Sequence, residues 1–166
     1  MNLFYLDEDP TIAAQLQCDK HVVKMILETA QMLSTAHREL DGDDVPDVLY
    51  KRTHKNHPSS KWVRESEANY QWAYRHFIAL CDEYTHRYGK THMTDRKLRT
   101  VLWHPPRGIQ YDSLAPTPPP QCMPDEYKDA DTVTAYRAYY QSPEKQRIAT
   151  WNKCRPAPEW FIAEDF

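Results

Sequence analysis

The chain has 166 residues, of which 40% are hydrophobic and 27% are charged, and its formal net charge is −3. This length, together with 11 tyrosines and 5 tryptophans, excludes a disordered chain and predicts one domain with a sizeable core. No apolar run approaches the roughly 20 residues that cross a bilayer, and acidic residues 7–9 interrupt the first apolar stretch, so we expect neither a membrane span nor a signal peptide. We therefore expect a cytoplasmic protein, in the host cytosol if a phage encodes it.

The composition also favours one fold class. Only 3 glycines occur, and helix formers dominate the periodic segments, so we expect an all-α fold. We expect a single compact helical domain over residues 1–166, built on two long helices with several short ones. Prolines are dense over 104–126 and leave no room there for a regular element, so this segment is predicted to be a long loop that wraps over the helices.

The chain begins with a short apolar segment, Met1–Leu6, which we expect to pack into the core as an extended arm. Asp9 followed by Pro10 is typical of an N-cap and a first helical position, and it predicts a short helix over 10–17. Asp19 is then expected to cap the next helix, a structural role that we favour over a catalytic one.

The stretch from Asp19 to about Arg38 predicts the first long helix. Its apolar stripe at helical spacing comprises Val22, Val23, Ile26, Leu27, Ala30 and Leu33. A second stripe comprises Gln17, His21, Lys24, Glu28, Gln31 and Thr35. An imidazole, an amine and a carboxylate therefore share one face, which predicts either a site or a solvated surface with a Lys24–Glu28 pair.

The remaining elements follow a basic, exposed loop over residues 50–60. A second long helix is expected from a cap at Ser59 or Ser60 to Gly89, because glycine is the natural residue after a helix. Shorter helices are predicted over Thr94–Trp103, from Asp131 as N-cap to Gln141, and from Pro143 to about Trp151. The tail over 155–161 is aromatic and non-helical.

Charge is segregated along the chain. Residues 1–50 carry 3 Lys/Arg against 10 Asp/Glu, whereas residues 51–107 carry 12 against 5. A basic segment in an acidic chain predicts either a positive surface for an anionic partner or internal pairing with the acidic ends. The candidate nucleic-acid-binding residues are Lys20, Arg52, Lys55, His57, Lys61, Arg64 and Arg75.

Cofactor chemistry has little support. The four cysteines are widely scattered, which favours reduced thiols over a disulfide framework. Cys18 and His21 are three residues apart, as are His54 and His57, but the first pair straddles a helix start, so we expect no metal. The chain lacks a glycine-rich phosphate loop, and we expect no cofactor.

The order of these features resembles the phage pyrimidine-dimer DNA glycosylase family of the endonuclease V type. The most specific element is the pattern Asp-x-His-x6-Glu, formed by Asp19, His21 and Glu28 behind the apolar arm. The other elements are a second long helix that closes at Gly89 and carries Tyr70, Arg75, Leu80, Glu83 and Arg87, and a tail after residues 123–126 with Arg155, Pro156, Trp160 and Phe161.

The resemblance implies a compact helical domain with a defined chemistry. In that family the N-terminal α-amine attacks the sugar C1′ and expels the base, and the Schiff base that results allows strand cleavage by β-elimination. Glu28 is the position that resembles the glutamate of the family, which supports the proton transfers, and His21 is its neighbour. The expected catalytic residues are therefore Glu28, His21 and an amine from Met1 or Lys24, and the expected partner is DNA or a nucleotide.

Three departures from the family pattern qualify this expectation. Asn2 is large, so we expect Met1 to be retained, which displaces the amine by one residue or removes the lyase chemistry. Leu27 and Gln31 stand where the family has arginines, so phosphate contacts are expected from Arg52, Lys55 or Arg64. The family is basic, whereas this chain is acidic, which leaves open a substrate smaller than duplex DNA or a different modified base.

Three functions follow as alternatives. The first is a nucleic-acid-directed N-glycosylase for damaged or modified bases in DNA, with or without AP-lyase activity. The second is a hydrolase or binder of a free nucleotide, such as a signal molecule. The third is a non-catalytic nucleic-acid-binding protein. No oligomeric state follows from the sequence.

Overall fold

The computed structural model describes residues 1–111 and 114–164. Over these residues the chain forms helices and no strand, which confirms the all-α single-domain prediction. The helices are α1 (Pro10–Leu16), α2 (Asp19–Asp41), α3 (Pro58–Val63), α4 (Glu67–Tyr88), α5 (Met93–Leu98), α6 (Thr132–Tyr140) and α7 (Pro143–Gln146), with 3₁₀ turns at Val101–Trp103 and Asp125–Tyr127. Within these ranges, every helix is too short or too polar to cross a membrane.

Helix α1 confirms the predicted Asp9–Pro10 start. The Asp9 carboxylate accepts hydrogen bonds from the backbone N–H groups of Thr11 and Ile12 at 2.8 and 3.2 Å, and Pro10 occupies the first helical position. The helix ends at Leu16 because Gln17 adopts an extended conformation. Gln17 therefore lies outside α2, and its predicted place in the polar stripe of that helix is wrong.

Helix α2 begins at Asp19, but the N-cap residue is Cys18, so the predicted capping role of Asp19 is wrong. The Asp19 carboxylate is buried and accepts hydrogen bonds from Arg87 at 3.1 Å and from the backbone N–H of Asn152 at 2.8 Å. An acidic side chain in the first turn also suits the positive end of the helix dipole. Asp19 keeps a structural role, but long-range partners define it.

The buried surface of α2 differs from the predicted apolar stripe. Val22 and Ile26 are fully buried as expected, whereas Val23 is 37% exposed and Leu27 is 41% exposed. The helix packs against α4 on one side, and the N-terminal arm lines a cavity together with residues of its polar stripe. Because two sides are covered, His21 is buried although it belongs to the polar stripe, and the predicted stripe is wrong at Val23 and Leu27.

The second long helix is divided. Helix α3 begins after His57, whose ring nitrogen accepts a hydrogen bond from Ser59 N, so Ser59 and Ser60 are not the caps. Helix α4 begins after Ser66, whose hydroxyl accepts from Asn69 N at 3.1 Å. This local cap, with the Asn69 amide bonded to the Trp62 carbonyl at 3.0 Å, stabilises a corner that periodicity did not indicate.

The boundaries of the other helices agree in part with those predicted from the sequence. Gly89 ends α4 in the left-handed region with φ of 71°, and Asp131 caps α6 through Thr134 N at 2.9 Å, both as predicted. Helix α5 is shorter than Thr94–Trp103 and gives way to a 3₁₀ turn. Helix α7 ends at Gln146 rather than near Trp151, whose indole N–H instead bonds to the Leu16 carbonyl at 3.1 Å.

The described part of the predicted 104–126 loop has no helix before Asp125, while residues 112 and 113 lie outside the described ranges. Thr117 binds the Trp62 indole through its hydroxyl at 3.0 Å and the Asn69 side chain through its backbone N–H at 3.0 Å. Further on, the Cys122 carbonyl accepts a hydrogen bond from the Asn2 amide at 3.0 Å. The loop therefore runs from the α3–α4 corner to the N-terminal arm.

Candidate active site

The N-terminal arm is held in one conformation by its own side chains and by the core. Leu3, Phe4 and Leu6 are buried. The Asn2 side chain accepts a hydrogen bond from Phe4 N at 3.0 Å and donates one to the Cys122 carbonyl. Phe4 has a positive φ of 50°, an unfavourable conformation for a bulky residue, so these contacts must hold the turn. The turn places the chain's first amino group beside α2.

The amine of Met1 lies 3.4 Å from Glu28 Oε1, and the side chains of these residues are 3% and 16% exposed. Glu28 Oε2 is 3.8 Å from Lys24 Nζ and has no hydrogen-bond partner in the described part of the chain. Both contacts are longer than an optimal charge-assisted hydrogen bond. Glu28 is therefore a carboxylate with unused hydrogen-bonding capacity next to an amine.

These groups face a cavity of about 280 Å³. Its lining residues are Met1, Asn2, Phe4, His21, Lys24, Met25, Glu28, His57, Cys122, Tyr139 and Lys145. Two larger cavities, of about 420 and 410 Å³, lie elsewhere, and the N-terminal amine lines neither of them. The smaller cavity is the candidate site because it combines a nucleophile with a possible base. We call it the amine cavity.

His21 lies in the wall of the amine cavity. Its ring stacks on Phe4 with centroids 4.1 Å apart, and Nδ1 lies 2.7 Å from the Tyr140 hydroxyl oxygen. Burial lowers the pKa of His21 to about 3, and Lys145, Lys24 and Lys20 act in the same direction. His21 is therefore a neutral, fixed ring at neutral pH.

Two lysines contribute positive charge from different elements. Lys24 projects from α2 at the rim of the cavity and is largely exposed. Lys145 comes from α7, is 11% exposed, and its ammonium lies 5.3 and 5.0 Å from the ring centroids of Phe4 and Tyr139. Sequence reasoning missed Lys145 because no local pattern links a short C-terminal helix to α2.

The predicted nucleic-acid-binding residues do not all line the amine cavity. Of the seven, His57 lines the amine cavity, and burial is the main cause that lowers its pKa. Lys20 is exposed on the first turn of α2, and Lys55 and Lys61 are exposed on and after the basic loop. Arg75 lies on α4 and lines two other cavities.

The two remaining arginines are engaged within the chain. Arg52 contacts Glu39 at 3.0 Å and Asp43 at 3.2 Å, and it also donates to a backbone carbonyl. Arg64 donates to the Lys55 carbonyl at 2.6 Å. For Arg52 the structure therefore supports the alternative of internal pairing between the basic segment and the acidic N-terminal region.

The described residues arrange no metal site, and the cysteines form no disulfide among them. Over residues 1–111 and 114–164, no group of three or more histidine, cysteine or acidic side chains is positioned to hold a metal ion. All four cysteines are free, as expected for reduced thiols. Burial raises the pKa of Cys18 and Cys81, which makes these two thiols poor nucleophiles.

Sequence comparison gives a single finding about family. The family model described as pyrimidine dimer DNA glycosylase matches residues 1–97, a range that contains Met1, His21 and Glu28 but neither Tyr140 nor Lys145. No curated protein and no solved structure matches the chain significantly. Since the match covers more than half of the sequence and includes the amine and the carboxylate of the cavity, the chain belongs to the pyrimidine dimer DNA glycosylase family.

Proposed function

We propose that this chain is a DNA glycosylase that removes damaged pyrimidines through the α-amine of Met1, with Glu28 as its proton-transfer partner. The observation that carries the proposal is the 3.4 Å separation between the Met1 nitrogen and Glu28 Oε1 inside a cavity. Membership of the pyrimidine dimer DNA glycosylase family supports DNA as the substrate.

The proposed chemistry follows from these two groups. The nitrogen lone pair forms a bond to C1′ while the glycosidic bond breaks, and the electron pair of the glycosidic bond leaves with the base. Glu28 takes a proton from nitrogen and returns it to O4′ as the sugar ring opens, which gives a protonated imine and regenerates the carboxylate. Glu28 accepts the proton from nitrogen because its carboxylate lies against the amine and is otherwise underused.

We also propose an AP-lyase step at the same site. Once the imine has formed, removal of a proton from C2′ allows the C3′–O bond to break, and the 3′ phosphate leaves with the electron pair. Glu28 is again the base within reach of the imine. Retention of Met1 is part of the proposal, and burial of its side chain supports an amine at this residue rather than at Asn2.

The direct experiment is borohydride trapping with a duplex oligonucleotide that contains one cyclobutane pyrimidine dimer. We expect a covalent protein–DNA adduct that peptide mapping assigns to Met1, and no adduct with the undamaged duplex. Adding two residues before Met1 should abolish the adduct because it moves the amine away from Glu28. Mapping to Lys24, the other candidate amine, would overturn the assignment of the nucleophile.

The matched variants are Glu28→Gln and Glu39→Gln, both on α2. Glu39 pairs with Arg52 outside the cavity, so its variant should trap DNA like the wild type. If the wild type gives neither an adduct nor base release, the glycosylase proposal fails.

The free-nucleotide alternative is supported by the acidic net charge of −3 and by the internal pairing of Arg52. Both observations reduce the cationic surface that a long duplex would need. Calorimetry with mononucleotides and with short damaged duplexes separates the alternatives. Tight binding of a mononucleotide without binding of the duplex would favour the alternative.

A further inference from the structure

Tyr140 is a fully buried residue at the end of α6, outside the matched family region. Its hydroxyl oxygen has three close neighbours: His21 Nδ1 at 2.7 Å, the backbone nitrogen of Cys18 at 3.3 Å and the Cys18 sulfur at 3.8 Å. The hydroxyl therefore joins the start of α2 to the imidazole in the amine cavity.

The direction of these hydrogen bonds can be assigned from their chemistry. A backbone N–H only donates, so Cys18 N fills one lone pair of the Tyr140 oxygen. The hydroxyl proton is then directed either to His21 Nδ1 or to the Cys18 sulfur. Nitrogen is much closer and is the stronger acceptor, so Tyr140 donates to His21 Nδ1.

We infer that Tyr140 is a positioning residue that holds neutral His21 in the tautomer with its proton on Nε2. The ring then presents a fixed N–H donor to the amine cavity, aimed at an oxygen of the sugar–phosphate of the bound nucleotide. The identity of that acceptor rests on the proposed function, whereas the tautomer does not.

The inference separates the roles of two cavity residues. With Nδ1 occupied by the Tyr140 hydroxyl and Nε2 already protonated, His21 has no lone pair to accept a proton from Met1. Burial, together with the charges of Lys145, Lys24 and Lys20, keeps the ring from becoming an imidazolium. Proton transfer is therefore left to Glu28, and His21 stabilises charge that develops on the substrate oxygen.

A second buried tyrosine–histidine pair provides a matched control. Tyr70 contacts His37 Nε2 at 2.8 Å, but its hydroxyl donates to the Leu102 carbonyl at 2.7 Å. The Tyr70 proton is thus already used, so His37 is the donor in that pair and the polarity is reversed. Tyr70 and His37 do not line the amine cavity.

Long-range ¹H–¹⁵N NMR of the full-length protein tests the tautomer directly. In the wild type we expect His21 Nδ1 to show the shift of an unprotonated, pyridine-type nitrogen and Nε2 that of a protonated one. Tyr140→Phe should move both ¹⁵N shifts towards a mixture of tautomers. Tyr70→Phe should leave the His21 shifts unchanged.

Kinetics on the dimer-containing duplex provides the second readout. Since Tyr140 does not line the cavity, Tyr140→Phe should lower kcat by about 10- to 100-fold, the range seen when a supporting hydrogen bond is lost, and leave KM unchanged. Tyr70→Phe should retain the wild-type kcat.

A proton on His21 Nδ1 in the wild type, or unchanged His21 shifts in Tyr140→Phe, would overturn the inference. An unchanged kcat in Tyr140→Phe would overturn the positioning role. Failure of DNA trapping in a wild-type protein with the expected tautomer would instead count against the proposed function alone, because the NMR experiment needs no substrate.

Discussion

Two glutamates of this protein, Glu83 and Glu28, differ in how fully their carboxylates are hydrogen-bonded. Glu83 on α4 belongs to a buried ion cluster with Asp19, Arg87 and Arg155, which we call the Arg87 cluster. Glu83 receives hydrogen bonds from Arg87 at 2.9 Å and from Arg155 at 2.7 and 3.1 Å. Glu28 in the amine cavity has contacts at 3.4 and 3.8 Å only, within the described residues.

This difference separates a structural charge from a reactive one. Each oxygen of Glu83 has a partner, so the side chain links α4 to the C-terminal tail and has little capacity left for substrate. One oxygen of Glu28 lacks a hydrogen bond although it is buried, which costs stability in a purely structural protein. Unused capacity beside an amine is what a general base requires.

Glu28→Gln should give the largest effect on function. We expect DNA trapping and base release to fall by about 10²- to 10⁴-fold, the usual contribution of a general acid or base. Unfolding in urea should change by less than about 1 kcal/mol, because the variant loses no well-formed hydrogen bond. A stable, fully active Glu28→Gln protein would break the comparison with Glu83.

Arg87→Met should have the opposite signature. Removing the arginine leaves Asp19 and Glu83 buried with reduced compensation, so we expect a loss of about 3–5 kcal/mol in the free energy of unfolding. Urea titration measures this loss, and activity per folded molecule should stay near that of the wild type. Reduced activity in the folded fraction would mean that the cluster acts on the cavity.

Acid should affect the two regions in different pH windows. His21 in the amine cavity and His76, a fully buried residue of α4, have pKa values lowered by burial to about 3 and about 4. The unfolded chain therefore binds more protons than the folded one below about pH 6.5. Stability should therefore decrease as pH falls from about 6.5, by up to about 1.4 kcal/mol per pH unit for each histidine.

The Arg87 cluster should respond only at lower pH. Burial alone would raise the pKa of Glu83, but hydrogen bonds from Arg155 and Arg87 outweigh it and lower the pKa below the 4.5 of an unperturbed glutamate. The stabilisation that ionised Glu83 contributes to the fold is present above that pH and is lost as the pH falls further. Urea unfolding across pH should show that His21→Gln changes the slope near pH 5–6, whereas Arg155→Gln changes it only below about 4.5. A flat profile above pH 5 would contradict this order.

Lys24→Met should give the smallest effect. The Lys24–Glu28 contact is long and Lys24 is largely exposed, so the free energy of unfolding should change by less than about 0.5 kcal/mol. If Lys24 contacts phosphate at the cavity rim, the slope of log affinity against log salt for damaged duplex should decrease by about 1. Lys128→Met, which removes a lysine paired with Asp125, is the control.

Local features of this protein were predictable from the sequence. The Asp9 and Asp131 caps and the Gly89 stop depend on groups within a few residues, so short-range rules located them. The spacing of His21 and Glu28 on one helix was equally local. The proximity of Met1 to Glu28 was predicted only through the family resemblance, because no spacing rule relates residues 27 positions apart across an extended arm.

Tertiary structure alone decided how these parts combine. Hydrophobic periodicity predicts which side of α2 is apolar, but it does not predict that a second side is also covered. It therefore wrongly assigned Val23 and Leu27 to the buried stripe. The partners of the site in the C-terminal region, Tyr140 and Lys145, lie about 120 residues from His21 and carry no local signature of that contact. The sequence by itself determined where helices start and which one carries the carboxylate, because those depend on neighbouring residues. Long-range packing determined what surrounds that carboxylate, because burial and hydrogen bonding depend on segments that meet only in the folded chain.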